Sequence, residues 1–150
     1  MSSTRLVHPD VRYGPLATPA DALDLVARLS SRPSSPEVVC VLLDGARRVG
    51  ASFTVTDVVD PDGVLHVAEM ALAVAAATAE IDGIVLASIR PSPLVERAGS
   101  DLDRWCRLDD LCNDLRCELV EWLVLTPDRV ALPRERLGAP SRWWLGVPPG

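Results

Sequence analysis

The chain has 150 residues, of which 48% are hydrophobic and 4% aromatic, and its formal net charge is −6. This length suits one domain with one core, and the acidic charge opposes binding to the phosphate backbone of nucleic acid. We therefore expect a single globular domain and no nucleic-acid partner. All 15 basic residues are Arg, a usage typical of a bacterial genome of high GC content.

Neither a membrane nor a zinc ribbon is expected from the sequence. The longest apolar stretch, Met70 to Ala79, is far shorter than the roughly 20 residues that cross a bilayer, and the N-terminus lacks an apolar leader region. We expect a cytoplasmic protein. The four cysteines form no C-x-x-C pair, so free buried thiols are expected rather than metal ligands or disulfides. A redox thiol among Cys106, Cys112 and Cys117 is the alternative, but no adjacent His or Lys would lower its pKa.

The first third of the chain predicts a helix and a hairpin. Residues 1–17 show no period and are expected to be irregular, and Thr18 is the expected N-cap of a helix that ends near Leu29. "EVVCVLLD" at 37–44 is continuously apolar, as a strand covered on both faces would be. "DGARR" then supplies the turn into the strand "VGASFTVTDVV".

The remainder predicts helices that alternate with strands. An Ala-rich helix is expected from Leu65 to Ile81, apolar nearly all round and hence buried on most sides. The strand "IVLASI" follows, then a helix from Asp101 with Ser100 as N-cap, and then the strands "CELVEWLVLT" and "RVAL". This order predicts an α/β sandwich in which helices flank a mixed sheet.

The stretch "SIRPSP" at 88–93, followed by "AGSD" at 98–101, carries a resemblance. It is similar to the site of the JAB/MPN metalloprotease-like domains, RadC-type branch, in which an apolar strand leads into H-x-H-P-S-G and S-x-x-D opens the next helix. Ten residues separate the second histidine from the aspartate in that motif, as ten separate Arg90 from Asp101. The resemblance covers about residues 20–132 and implies the cytidine-deaminase-like α/β fold of that family.

The resemblance also implies which positions carried the chemistry. In the family two histidines and the aspartate hold zinc, which activates a water molecule, while a serine stabilises the oxyanion and an upstream glutamate moves a proton. In this chain the histidine positions hold Ser88 and Arg90, the serine position holds Ala98, and Asp101 remains. Glu37 lies within about one residue of the glutamate position.

These replacements predict a vestigial pocket that binds no metal and needs no cofactor. A hydroxyl is a poor zinc ligand, and a guanidinium is always protonated and has no lone pair to donate. We expect Arg90 to occupy the metal position and to pair with Asp101, with Glu37 as a second candidate partner. The alternative is that Arg90 points into solvent and that Asp101 is simply an acidic residue in the first turn of a helix, where the helix dipole favours a negative charge.

Two classes of function follow from this interpretation. The first is a catalytically inactive domain that serves as a protein–protein interaction or scaffold module, with a homodimer among its forms. The second is an enzyme or small-molecule sensor that reuses the pocket through Arg90 and acidic residues. Residues 134–150 form a Pro/Gly/Trp-containing tail, in which we expect no further helix or strand. The tail contains Trp143 and Trp144, which either dock on their own domain or anchor a partner.

Three other groups of residues have simpler explanations. His66 and Glu69 lie three apart and would share a helix face, but a polar helix start explains both. Ser88 and Ser92 flank Arg90 without a base that would activate a serine nucleophile. A solvated helix face accounts for the acidic residues of the helix that follows, which are Asp101, Asp103, Asp109, Asp110 and Asp114.

Overall fold

A computed structural model describes residues 3–7, 15–30, 35–91 and 98–143. The elements in chain order are β1 (Ser3–Val7), α1 (Pro19–Leu29), β2 (Glu37–Asp44), β3 (Val49–Thr56), α2 (Gly63–Ala76), β4 (Ile81–Ile89), α3 (Ala98–Asp114), β5 (Glu118–Thr126), β6 (Arg129–Ala131) and α4 (Pro133–Arg136). The expected α/β domain with a mixed sheet and flanking helices is confirmed.

One six-stranded sheet organises the domain, in the order β1-β3-β2-β4-β5-β6. Among the strands that the structure describes, only the β4–β5 pair is parallel, and α3 supplies the crossover between these two strands. The other pairs are antiparallel. The carboxyl ends of β4 and β5 therefore lie side by side at one edge of the sheet, close to the start of α3.

The sheet separates two apolar layers, because alternate residues of a strand point to opposite faces. In β2, Val38, Cys40 and Leu42 pack toward α2 and α3, whereas Val39, Val41 and Leu43 pack toward α1. This strand is buried at every position but the last, which explains its continuous apolar run. Thr18 caps α1 as expected, because its side chain accepts a hydrogen bond from the backbone of Asp21, whose carboxylate in turn binds the Thr18 backbone.

The expectation of an irregular segment over residues 1–17 is wrong for residues 3–7. These residues form β1, which pairs antiparallel with β3 from Ser3↔Thr56 to Val7↔Ser52. Five residues with little periodicity give a weak local signal, and the unpaired edge of the β2–β3 hairpin supplies the hydrogen bonds that make them a strand. Residues 8–14 lie outside the described residues.

Both ends of the Ala-rich helix differ from the expectation. α2 begins two residues earlier than predicted and ends at Ala76, and Ile81 is already the first residue of β4. A turn through Thr78 overrides the helix propensity of the neighbouring alanines, because the chain must reverse to enter the sheet. The helix is also not covered all round, since Met70 and Val74 are 43% and 45% exposed.

The folded part of the chain continues into the predicted tail of residues 134–150. Pro133–Arg136 is a short helix, for which proline is well suited at the first position, so the expectation that the tail contains no further helix is wrong. Arg134 and Trp143 are both buried in the domain. α3 likewise begins at Ala98, three residues before the predicted start.

Candidate functional site

Ser88 lies one residue before the carboxyl end of β4, with its side chain on the same face of the sheet as that of Val38, and Arg90 is the first residue after the strand. That face is the one covered by α2 and α3. Asp101 lies in the first turn of α3, and the crossover brings it to the same edge. The fold therefore gathers three of the positions that the sequence singled out, and Ala98 opens the same helix, although its side chain lies outside the described residues.

Arg90 and Asp101 form a bidentate ion pair. Nη1 donates to Oδ2 at 2.9 Å and Nη2 donates to Oδ1 at 2.8 Å. The two side chains are only 16% and 14% exposed, so the pair is largely shielded from solvent screening. The predicted pairing of Arg90 with Asp101 is confirmed, and the alternative in which Arg90 points into solvent is wrong.

A second arginine extends this pair into a network. Arg104, one turn further along α3, donates from Nη1 to Oδ1 of Asp101 at 3.0 Å and from Nε to Asp62 at 2.8 Å. The hydrogen bond from Arg104 lowers the pKa of the Asp62 carboxyl, which lies at the N-terminus of α2. The network therefore joins the end of β4 to the starts of α3 and α2.

Ser88 is part of the core rather than of an open pocket. Its side chain is buried, and its hydroxyl oxygen accepts a hydrogen bond from the indole Nε1 of Trp122 at 3.0 Å. Trp122 lies on β5 and is completely buried. The hydroxyl therefore satisfies an indole N–H that would otherwise be buried without a partner.

Glu37 lies on the opposite face of the sheet, so its placement in a pocket with Ser88 is wrong. It is the register partner of Ile89, and its carboxylate accepts a hydrogen bond from Ser30 at the end of α1 at 2.8 Å. The residue opposite Ser88 on β2 is Val38. A shift of one residue along a strand moves a side chain to the other face, and this parity separates Glu37 from Ser88.

These residues do not fit a catalytic zinc ion. Within the described ranges no three His, Cys, Asp or Glu side chains are grouped as metal ligands would be. Each oxygen of Asp101 already accepts a hydrogen bond from a guanidinium, and two cations next to that carboxylate would repel a divalent ion.

The cysteines behave as core residues, apart from Cys106, which is exposed. Burial raises the pKa of the Cys112 thiol to about 12 and that of the Cys117 thiol to about 11, and it raises the pKa of Cys40 as well. A thiol with a raised pKa is a poor nucleophile at neutral pH because little of it is thiolate. His66 and Glu69 are both exposed on α2.

A buried charge cluster on β5 was missed at the sequence level. Glu121 is completely buried, and its carboxylate accepts hydrogen bonds from Nε and Nη2 of Arg134 at 3.0 and 3.1 Å and from the indole of Trp143 at 3.0 Å. The signal was available, because a glutamate interrupts the apolar run "ELVEWLVLT". A buried carboxylate needs a cation and further donors, and the residues after β6 provide them.

Trp143 therefore docks on its own domain, which is one of the two outcomes left open by the sequence. It is 2% exposed and packs in the apolar layer under α1. Arg142 beside it forms an ion pair with Asp109 on α3 and lies over the ring of Trp105. Trp144 and Ser92 lie outside the described residues.

The buried Arg47 also holds this C-terminal segment in place. It lies in the β2–β3 turn with a positive φ of 62°. Its Nη2 donates to Glu118 at 2.6 Å and to the backbone carbonyl of Arg142 at 3.0 Å. The segment that reaches Trp143 is thus bound to the β2–β3 turn as well as to α3.

A scan against models of protein families and a search of curated proteins gave no match for this chain. The helices of the described ranges include none with the length and apolar character needed to span a membrane. The chain is a mixed-sheet α/β domain whose candidate site is an arginine–aspartate pair.

Proposed function

We propose that this chain is a catalytically inactive JAB/MPN-like domain that acts as a protein–protein interaction or scaffold module. The observation that carries the proposal is the bidentate contact of Arg90 with both oxygens of Asp101. In the resembled family the aspartate and two histidines bind zinc. Here a fixed organic cation takes the role of the metal in neutralising the carboxylate.

The surroundings of the pair support the same proposal. Ser88 occupies the position of the first histidine, and its hydroxyl accepts a buried hydrogen bond from the indole of Trp122. A side chain of β2 that transfers a proton would have to lie opposite Ser88, on the same face of the sheet. That position is occupied by Val38, which is buried and apolar. A site that activates water needs a free ligand position and a base, and these neighbours supply neither.

The second candidate is an enzyme or small-molecule sensor that reuses the pocket. A groove of about 340 Å³ does reach Arg90, but it lies on the α1 side between the end of that helix and the ends of β4 and β5. Its lining is mostly apolar and includes neither Asp101 nor Glu37. Since Arg90 is already neutralised by Asp101, the interaction module is the better supported function.

The deciding experiment measures zinc by elemental mass spectrometry in tag-free protein prepared without added metal or chelator. We expect wild-type protein to contain no stoichiometric zinc. The double variant Ser88→His/Arg90→His should bind about one zinc per chain if Asp101 stands at the family's third ligand position. The triple variant that adds Asp101→Ala is the matched control and should lose that zinc.

The results separate the two parts of the proposal. Zinc at about one per chain in the wild-type protein would overturn the inactive site. Zinc binding by the double variant that does not depend on Asp101, or no binding by a folded double variant, would count against the resemblance. Circular dichroism of each variant establishes that it is folded, which matters because Ser88 is buried.

A further inference from the structure

A shallow groove of about 400 Å³ lies between the loop that follows β3 and the first turns of α2. Its lining is mostly apolar and includes Val59 and Met70, which are 80% and 43% exposed. Val59 is the most exposed large hydrophobic residue in the described ranges. An apolar groove that is open to solvent gains free energy when a partner covers it, and clustered exposure of this kind marks interaction surfaces.

The loop that forms the groove is held in place by its own packing. Asp57 adopts the left-handed backbone conformation, with a φ of 58°, directly after β3. The backbone N–H of Val58 donates to the carbonyl of Pro36 at 3.0 Å. A side chain would not fit at Gly63, because a Cβ atom there would lie 2.4 Å from Cγ1 of Val58. The groove is therefore preformed, so a partner loses little free energy in ordering it.

The groove carries negative charge. Asp57 and Asp60 are exposed, and both line it. Residues 57–80, which include the loop and α2, contain five carboxylates and no arginine, although the chain has 15 arginines. Arg104 of α3 does reach the start of α2, but it binds Asp62, which does not line the groove. The surroundings of this apolar surface therefore attract positive charge.

We propose that this groove binds a basic segment of a partner protein that carries an exposed apolar side chain. The apolar side chain packs against Val59 and Met70, and arginine or lysine side chains beside it pair with Asp57 and Asp60. The proposal rests on the proposed interaction function and names its surface and the chemistry of its partner.

The sign of the charge opposes other occupants. Nucleic acid and an anionic lipid surface carry charge of the same sign as the groove and would be repelled. A second copy that docked through the same groove would bring its own Asp57 and Asp60 against these carboxylates. A basic segment instead forms ion pairs around an apolar contact, as in protein interfaces whose core is apolar and whose rim is polar.

Met70 provides a reporter within the groove. The chain contains two methionines, so the nuclear magnetic resonance spectrum of protein labelled with ¹³C at the methionine methyl groups is simple. The Met70 signal is assigned by its loss in Met70→Leu. The probe is a capped synthetic peptide with two leucines between two pairs of arginines. Its titration into the full chain should shift the Met70 signal in a saturable way, with a dissociation constant of about 100 μM or below.

Two control peptides separate the contribution of charge from that of apolar contact. A peptide with glutamate in place of each arginine should not shift the Met70 signal, because the groove repels it. A peptide with alanine in place of each leucine should bind at least about tenfold more weakly, since it keeps the charge but loses the apolar side chains.

A matched pair of variants locates the charge. Asp57→Asn/Asp60→Asn keeps the oxygens that accept hydrogen bonds from Ser35 and from the loop backbone, and asparagine tolerates the positive φ at position 57. This variant should bind the leucine–arginine peptide about tenfold more weakly. Asp110→Asn/Asp114→Asn removes the same charge from an exposed part of α3 and should change the affinity by no more than about twofold.

An unchanged Met70 signal at millimolar peptide, or equal weakening by both pairs of substitutions, would overturn this surface. A shift of the same size with arginine amide alone would replace the protein partner by a small cation. A Met70 signal that changes on dilution without peptide would show that a second copy covers the groove, and either result would overturn the proposed partner. None of these measurements concerns the zinc content, so failure of this surface is distinguishable from failure of the proposed inactive site.

Discussion

Removal of Arg90 tests whether the ion pair at the end of β4 stabilises the fold. Arg90→Ala deletes two charge-assisted hydrogen bonds of 2.8–2.9 Å between side chains that are 14–16% exposed. Such bonds contribute about 1.5–3 kcal/mol each when fully formed. Asp101 keeps one bond, since Arg104 still donates to its Oδ1 at 3.0 Å. We therefore expect a loss of about 2 kcal/mol, below the roughly 3–5 kcal/mol of a fully buried pair, because both side chains are partly exposed and Asp101 keeps one donor.

Asp101→Ala should cost more than Arg90→Ala. It removes the shared partner of Arg90 and Arg104 and leaves the two guanidinium groups close together without that carboxylate. We expect about 3 kcal/mol, because breaking a shielded pair leaves uncompensated charge. The two costs should not add, and a double-mutant cycle should give a coupling of about 1–2 kcal/mol.

The assay is urea unfolding followed by far-ultraviolet circular dichroism, with linear extrapolation of the free energy to water. Asp103→Ala is the matched control, because Asp103 is exposed near the start of the same helix, and it should change stability by no more than about 0.5 kcal/mol. If Arg90→Ala unfolds at the same urea concentration as wild type, or if the coupling lies below about 0.5 kcal/mol, the pair does not have the proposed role.

Three further predictions concern the core. Ser88→Ala should lower the free energy of unfolding by about 1–3 kcal/mol, because the buried indole N–H of Trp122 loses its acceptor; unchanged stability in urea would show that the hydrogen bond contributes nothing. Trp143→Phe keeps a ring but loses the bond to the buried carboxylate of β5, so a cost of about 1.5–3 kcal/mol is expected, and Trp143→Ala should cost clearly more in the same assay. Stability should also decrease above pH 9, because the thiols of Cys112 and Cys117 keep their protons up to about pH 12 and 11 in the fold but lose them near 9.0 when unfolded. The chain has no lysine to titrate in that range, so the double serine variant should show a weaker dependence on pH, and an identical pH dependence would contradict the assignment.

Local signals in the sequence predict the central elements well. The β2–β3 hairpin, α1 with its Thr18 cap, and strand β5 all lie close to where composition and period place them. The pairing of Arg90 with Asp101 was also predicted, because the spacing of the resembled motif places both residues at one edge of the sheet. These features depend on residues that are near one another in the chain or on a recognisable motif.

The candidate site could be predicted only in part. Whether Glu37 shares a face of the sheet with Ser88 depends on how β2 is aligned with β4. The resembled motif fixes the glutamate position only to within about one residue, and a shift of one residue moves the side chain to the other face. The pairing of Glu37 with Ile89 decides it. The role of Ser88 as acceptor for Trp122 joins residues 34 positions apart on parallel strands, and no local pattern contains that contact.

The amino-acid sequence by itself determined the alternation of helices and strands, the doubly covered strand β2 and the presence of Ser88 and Arg90 where the resembled motif has histidines. Tertiary structure decided which segments complete the sheet and how its buried charges are satisfied. Residues 3–7 become a strand because β3 has a free edge, and Trp143 is buried because Glu121 and the layer under α1 need a donor and an apolar cover. Local propensity cannot specify such contacts, since their energy comes from groups that only the folded chain brings together.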